Sequence, residues 1–153
     1  MKHELLLLGK TKDAFITVGI NEYASRLKHY AGIELTFLKE KGKTKGRVNI
    51  EKQGSLLLHG VASGALKVVL DAKGKQCTSE EFSQKIDKWE MRGIKKVCYL
   101  IGGPEGHSPL VLQKADFLLS FSKMTFTHDM IRMLLVEQLY RAYTIKAGEK
   151  YHK

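Results

Sequence analysis

Short apolar runs that read as strands alternate with longer stretches of helical periodicity along this chain. That alternation leaves few folds open. Residues 2–9 hold four consecutive leucines, Leu5 to Leu8, ended by Gly9. A run apolar at every position suits a strand covered on both faces, and four leucines are too few for a signal-peptide core or a membrane span. Over residues 13–30, Ile16, Ile20, Tyr23, Leu27 and Tyr30 recur at steps of four, three, four and three, one face of a helix. Asp13 stands where a carboxylate accepts an orphan amide proton as N-cap, and Gly32 reads as the stop signal. Residues 33–38 alternate apolar and polar as a second strand. Residues 49–63 make a weaker helix: Ile50, Leu57 and Val61 share a face, but Gly54 and Gly60 each cost about 1 kcal/mol relative to alanine.

The pattern repeats. Residues 65–70 read as a strand ending at Asp71, and residues 71–75 as a turn. Thr78 and Glu81 then form a capping box, each side chain satisfying the other's backbone amide. The helix that follows runs to about Arg92 with Phe82, Ile86 and Trp89 inward, and Gly93 ends it. Residues 96–101 form the next strand, residues 117–121 a fifth, and residues 127–147 a long last helix. The alternation predicts one α/β domain over residues 1–153, with a mainly parallel sheet and helices on both faces. Ligands of such sheets bind beyond the carboxyl ends of the strands. Leu70–Asp71, Ile101–Gly102 and Phe121–Ser122 are therefore expected at one crevice. Cys77 and Cys98 lie 21 positions apart with no Cys-x-x-Cys pair, the usage of reduced thiols in a cytosolic protein.

Two segments at that crevice stand out. Gly102-Gly-Pro-Glu-Gly106 allows positive φ and close approach to the backbone. It is not the dinucleotide fingerprint, because its spacing is wrong and Pro104 removes a donor, and it lacks the lysine of a P-loop. A structural turn would read the same way. Residues 122–126, Ser-Lys-Met-Thr-Phe, offer amides, hydroxyls and apolar surface that suit a flat aromatic ligand, or an ordinary strand-to-helix connection.

In the last helix Met130, Ile131, Met133, Leu134, Leu135 and Val136 nearly encircle the axis. A helix apolar all round must be buried all round, either by a second subunit or by a central place in one monomer. His128, in its first turn, is a candidate general base or capping residue. Arg132 and Arg141 are candidates to pair with Glu137 or to contact phosphate. Tyr151, His152 and Lys153 read as a frayed end, although tyrosine and histidine both perform proton chemistry.

The net charge of +10 favours a polyanionic partner through counterion release. Residues 39–47 place a base at every second position: Lys39, Lys41, Lys43, Lys45 and Arg47. They form either a solvated loop or an arm for phosphates. Without an aromatic residue the segment does not stack on bases.

Taken together, LIGGPEGHS, LSFSKMTFTHDMIRMLLVEQLYRAY and the terminal YHK resemble the ribosomal RNA large-subunit methyltransferase H family, small bacterial enzymes of the SPOUT superfamily. LLLLGK and INEYASRL also match its pattern, so the resemblance spans the chain. It implies a trefoil knot in the C-terminal part of the α/β fold, a rare exception among protein topologies. It also implies a cytoplasmic homodimer, S-adenosylmethionine as cofactor and no metal. Cofactor contacts would fall on Leu70, Gly102, Phe121, Ser122, Lys123, Met124, Thr125 and Phe126. The reaction would be methyl transfer to N3 of a pseudouridine in large-subunit ribosomal RNA on the assembled ribosome. Tyr151, His152 and His128 would be the proton acceptors or hydrogen-bond partners, with Lys41, Lys43, Lys45, Arg47, Arg132 and Arg141 toward RNA. His107 stands where relatives vary, and no role for it follows. Two other readings remain open: a SPOUT enzyme with another target atom, and a non-catalytic ribosome-binding protein on the same fold.

Overall fold

The computed structural model describes residues 1–40, 42 and 45–152. Five strands make one parallel sheet: β1 (Lys2–Leu8), β2 (Gly32–Leu38), β3 (Leu66–Lys75), β4 (Lys96–Ile101) and β5 (Phe117–Leu119), in the order β2-β1-β4-β3-β5. Five helices connect and follow them: α1 (Ala14–Leu27), α2 (Gly46–Gly60), α3 (Ser79–Met91), α4 (Pro109–Gln113) and α5 (His128–Lys146).

The period-two pleat divides β1 between two cores. Leu5 and Leu7 join Val97, Tyr99, Val68 and Leu70 under α1, α3 and α5. Leu6 and Leu8 join Leu100, Cys98 and Val69 under α2 and α4, through Leu57 and Val111. The expected inward faces hold: Ile20 and Leu27 of α1, and Phe82, Ile86 and Trp89 of α3, are buried. The predicted caps are present too. Asp13 accepts from the Ile16 amide at 3.0 Å, and Thr78 and Glu81 make the capping box.

Several boundaries differ from the sequence reading. Gly32 does not stop α1; it opens β2, and the helix closes through Tyr30 and Ala31 amides donating to the Leu27 carbonyl. Residues 71–75 are not a turn but a continuation of β3, which meets β5 again at Lys75 after an irregularity. Helix α2 begins at Gly46, so Arg47 belongs to its first turn. Helix α4 was hidden because five residues carry too little periodicity to read. Gly54, a liability by propensity, is where a Cβ would stand 2.3 Å from Ser108 Oγ, the N-cap of α4. Its missing side chain lets the two helices meet.

A polar chain crosses the larger core. His3 is fully buried between Tyr99 (Nδ1 to the hydroxyl, 3.0 Å) and Tyr143 (Nε2 to the hydroxyl, 2.9 Å). Tyr143 donates to Glu90 at 2.8 Å, so it must accept from His3 Nε2–H, leaving Nδ1 to accept from Tyr99. Burial, with a smaller contribution from the N-terminal ammonium, lowers the His3 pKa from 6.5 to about 3. The unfolded chain then binds a proton that the folded chain refuses, and stability falls as pH drops from 6.5 toward 3. In urea unfolding between pH 6.5 and 4.5, the wild-type chain should lose about 1.4 kcal/mol per pH unit more than His3→Gln. Parallel slopes in the two proteins would show that His3 titrates as an exposed histidine.

Candidate functional site

At the carboxyl edge of the sheet, where parallel α/β domains place ligands, three connections enclose a cavity of about 690 Å³. One wall is Leu70, Asp71, Ala72 and Lys73, as β3 runs on past its neighbours. A second is Ile101, Gly102, Gly103, Pro104, Gly106 and His107 after β4. The third runs from Leu119 to Thr127, without Lys123, and passes into α5 at His128 and Ile131.

Local chemistry shapes each wall. Gly106 takes φ +85°, which closes the turn so that its amide donates to the Gly103 carbonyl at 3.0 Å. Glu105 leaves that turn to accept from the Gly46 amide and the Asn49 side chain, at 3.1 and 3.0 Å. The turn is thereby pinned to the start of α2. Ser120 lies within bonding distance of the Ala72 and Ser122 carbonyls, at 3.2 and 2.9 Å, and Met124 N–H donates to Ser122 Oγ at 3.0 Å. These bonds hold the third wall against the first.

The start of α5 is anchored more firmly still. Asp129 Oδ2 accepts from the backbone amides of Lys12 and Asp13, at 3.0 and 3.4 Å. Arg132 donates to the Leu8 carbonyl at 2.8 Å and to Thr11 Oγ1 at 3.0 Å, and lies 3.2 Å from Asp129. This corrects the expectation that Arg132 faces RNA or pairs with Glu137. Only 1% of it is exposed, and its cation is spent inside the chain on fixing where His128 enters the cavity.

Of the eight expected cofactor residues, Leu70, Gly102, Phe121, Ser122, Met124, Thr125 and Phe126 line this one cavity, and Lys123 does not. The three expected proton-handling residues are separated. His128 is at the cavity; Tyr151 and His152 are not. The tail folds back along the second half of α5, from the level of Glu137 onward, roughly 14 Å or more along the helix from His128. There Tyr151 donates to Glu137 at 3.0 Å and packs edge-on against Tyr140, with the Arg141 guanidinium 4.8 Å from its ring centre. Burial, then Tyr23 and Glu137, raise its pKa well above the ordinary range, so Tyr151 is a protonated donor in this setting. His152 Nε2 lies 2.6 Å from Glu80, and that contact is the largest of the causes holding the Glu80 carboxyl at about 2.

Arg141 does pair with Glu137, at 2.6 Å, the structural alternative left open for it. Of the basic arm, Lys45 is the exposed N-cap of α2 and Arg47 pairs with Glu51 at 3.1 Å; Lys41 and Lys43 lie outside the described residues.

Sequence reasoning missed His107. Its Nε2 is 3.0 Å from the Leu70 carbonyl and 3.2 Å from the Gly102 amide. One nitrogen cannot donate to the first while accepting from the second. Buried Nδ1 has no partner among the described residues, and burial lowers the ring's pKa, so the imidazole is held neutral. The wall therefore keeps one polar group short of a partner until something else enters. No local pattern signals this, because one of the ring's partners is a backbone carbonyl of β3, 37 residues away.

Among the described residues no group of three or more His, Cys, Asp or Glu side chains is placed to hold a metal, and no helix is long and apolar enough to cross a membrane.

Comparison with known proteins identifies the fold and the lineage. A solved structure described as a probable methylase family protein from Haemophilus influenzae Rd KW20 superposes with a TM-score of 0.56 at 14% identity, covering 99% of this chain and 70% of that one. The likeness is one of fold. The proteins named ribosomal RNA large subunit methyltransferase H are 60% identical to this chain in Desulfotalea psychrophila, over 153 residues, and 41% identical in Halothermothrix orenii, over 160; both alignments cover the whole of each chain. The model of the family described as predicted SPOUT methyltransferase matches residues 1–152. A match of that extent, with relatives of that identity from end to end, places the chain in the SPOUT methyltransferases, within the ribosomal RNA large subunit methyltransferase H family.

Proposed function

We propose that this chain transfers the methyl group of S-adenosylmethionine to N3 of a pseudouridine in large-subunit ribosomal RNA, acting in the cytoplasm on the assembled ribosome. The observation that carries the reading is the cavity at the sheet's carboxyl edge, in a chain of this family. Its composition suits the cofactor. Leu70, Ile101, Phe121, Phe126 and Ile131 supply apolar surface for a flat ring, while the turn at Gly102 and the Ser122–Thr125 loop supply hydrogen-bonding groups at its rim. The C-terminal third, which forms two of the three walls, is the part expected to thread as the trefoil knot of the family.

When bound, the sulfonium supplies an already activated methyl group, so the chemistry needs no nucleophile from the protein. The chain's residues have two tasks. One is alignment, which supplies several kcal/mol of barrier lowering. The other is to take or stabilise the N3 proton of the base, and His128 is the titratable imidazole placed to do so within the same chain.

The second proton-handling group comes from a partner subunit in this reading. Met130, Ile131, Met133 and Leu134 of α5 remain half-buried, and beside them α1 presents Phe15 at 90% and Val18 at 68% exposure. Gly19 lets Met133 pack close between these helices. An apolar face of this kind fits a second copy of the chain. Pairing two copies so that the tail end of one α5 meets the cavity end of the other brings Tyr151 and His152 to the site they miss in their own subunit.

Isothermal titration should show uptake of S-adenosylmethionine by the full chain, and its absence would favour a non-catalytic role. A chain ending at Lys150 should keep dimer and cofactor binding but lose turnover; full activity in that protein would refute the role of the tail. Assembled ribosomes should be methylated far better than protein-free RNA, because one small domain has little surface for reading sequence and relies on the shape of its target. Efficient methylation of bare RNA would contradict that reliance.

A further inference from the structure

Away from the cavity, four cations gather on one face of the chain. Lys85, Lys88 and Arg92 recur at i, i+3 and i+7 along and just beyond α3, which puts them on one face. Lys75 joins them from the end of β3. Lys75, Cys77, Glu81, Gln84, Lys85 and Lys88 line a shallow recess of about 170 Å³. Several cations elsewhere are matched, among them Lys2 with Glu34, Lys67 with Asp116, Lys96 with Glu4 and Lys146 with Asp87. None of these four has an ion pair with a described residue. Glu81, the carboxylate in the recess, is committed to the Thr78 amide at 2.9 Å as part of the capping box.

The cations also crowd one another. Lys85 is half-buried with its ammonium 4.1 Å from the centre of the Phe117 ring. Its pKa lies below the ordinary lysine value, first through burial and then through Lys75, with Lys88 and Arg92 adding to the effect. Like charges that outnumber the one carboxylate of their recess destabilise the isolated chain and are relieved by an anion. Position suggests which anion. Lys75 ends the same extension of β3 whose residues 70–73 wall the cavity, so the patch starts beside the site and leads away along α3. Phe117 lies beneath the Lys85 ammonium, so the surface suits phosphates rather than stacked bases.

We propose that Lys75, Lys85, Lys88 and Arg92 form a phosphate track that seats the RNA backbone flanking the nucleotide in the cavity. This rests on the reading that RNA is the substrate. It adds a docking surface separate from the basic arm of residues 39–47.

The test uses the full-length protein and a variant with all four cations changed to glutamine. Methyl transfer to ribosomes should show a KM raised about tenfold with kcat little changed, and S-adenosylmethionine affinity should be unaltered. The dependence of log affinity on log salt should become shallower by roughly three, as expected when about four phosphate contacts are lost. The charge-preserving set Lys75→Arg, Lys85→Arg, Lys88→Arg and Arg92→Lys should restore both KM and slope.

Binding of protein-free large-subunit RNA, followed by fluorescence anisotropy, should weaken in parallel. Unchanged KM and salt slope in the glutamine variant would overturn the track. So would weakening on ribosomes alone, which would assign the patch to carboxylates of a ribosomal protein, or failure of the charge-preserving set. If the wild-type protein methylated no ribosome, the functional reading would fall. The anisotropy arm would still decide whether these four residues hold RNA.

Discussion

Everything in this molecule hangs on the burial of β1 and β4 on both faces. A strand whose alternate side chains enter two different cores has no solvent side. It cannot slip by one residue without exchanging the contents of those cores. Leu5 and Leu7 against Leu6 and Leu8 therefore set the register of the sheet, and with it the level at which every strand ends. The walls of the cavity are the connections that leave those ends. Their geometry follows from this register together with three polar ties: Glu105 to α2, Ser120 across to Ala72, and Asp129 with Arg132 to the segment after β1.

Much of this was readable in the residues, for reasons that differ by element. The strands β1 and β4 announced themselves because burial on both faces demands unbroken apolar runs. Helices α1 and α3 did so because cap chemistry at Asp13 and Thr78 depends on residue type at a fixed spacing. The cavity was legible in part. Three strand ends had to meet, and seven of the eight residues carried over from the family resemblance line it.

What stayed hidden needed three-dimensional partners. Arg132 looks like any basic residue on a helix until Leu8 and Thr11 are seen beneath it. His107 takes its meaning from the Leu70 carbonyl on β3 and the Gly102 amide just after β4. Residues 71–75 read as a turn because glycine and aspartate are turn formers. Pairing with β5 overrode that preference, and Gly74 is where the two backbones come so close that a Cβ would stand 2.8 Å from β5. Nor could composition place the positive charge. Of six basic residues expected toward RNA, Arg132 is buried and Arg141 is locked to Glu137. A cluster of cations without ion pairs to described residues lies instead on and beside α3.

The tie between α5 and the segment after β1 also bears on when the site comes into being. Asp129 reaches back 117 residues to Lys12, and Arg132 reaches back 124 to Leu8. His3 meets Tyr143 across 140 residues. Contacts so distant along the chain form slowly, and only after the intervening segments are in place. A nascent chain can pair β1 with β2 early. It has no fixed wall at His128 and no partner for His3 in α5 until that helix has left the ribosome that is making it. The order of synthesis thus withholds the cavity until nearly the whole polypeptide is available, and a truncated product would lack both the core contact and the site together.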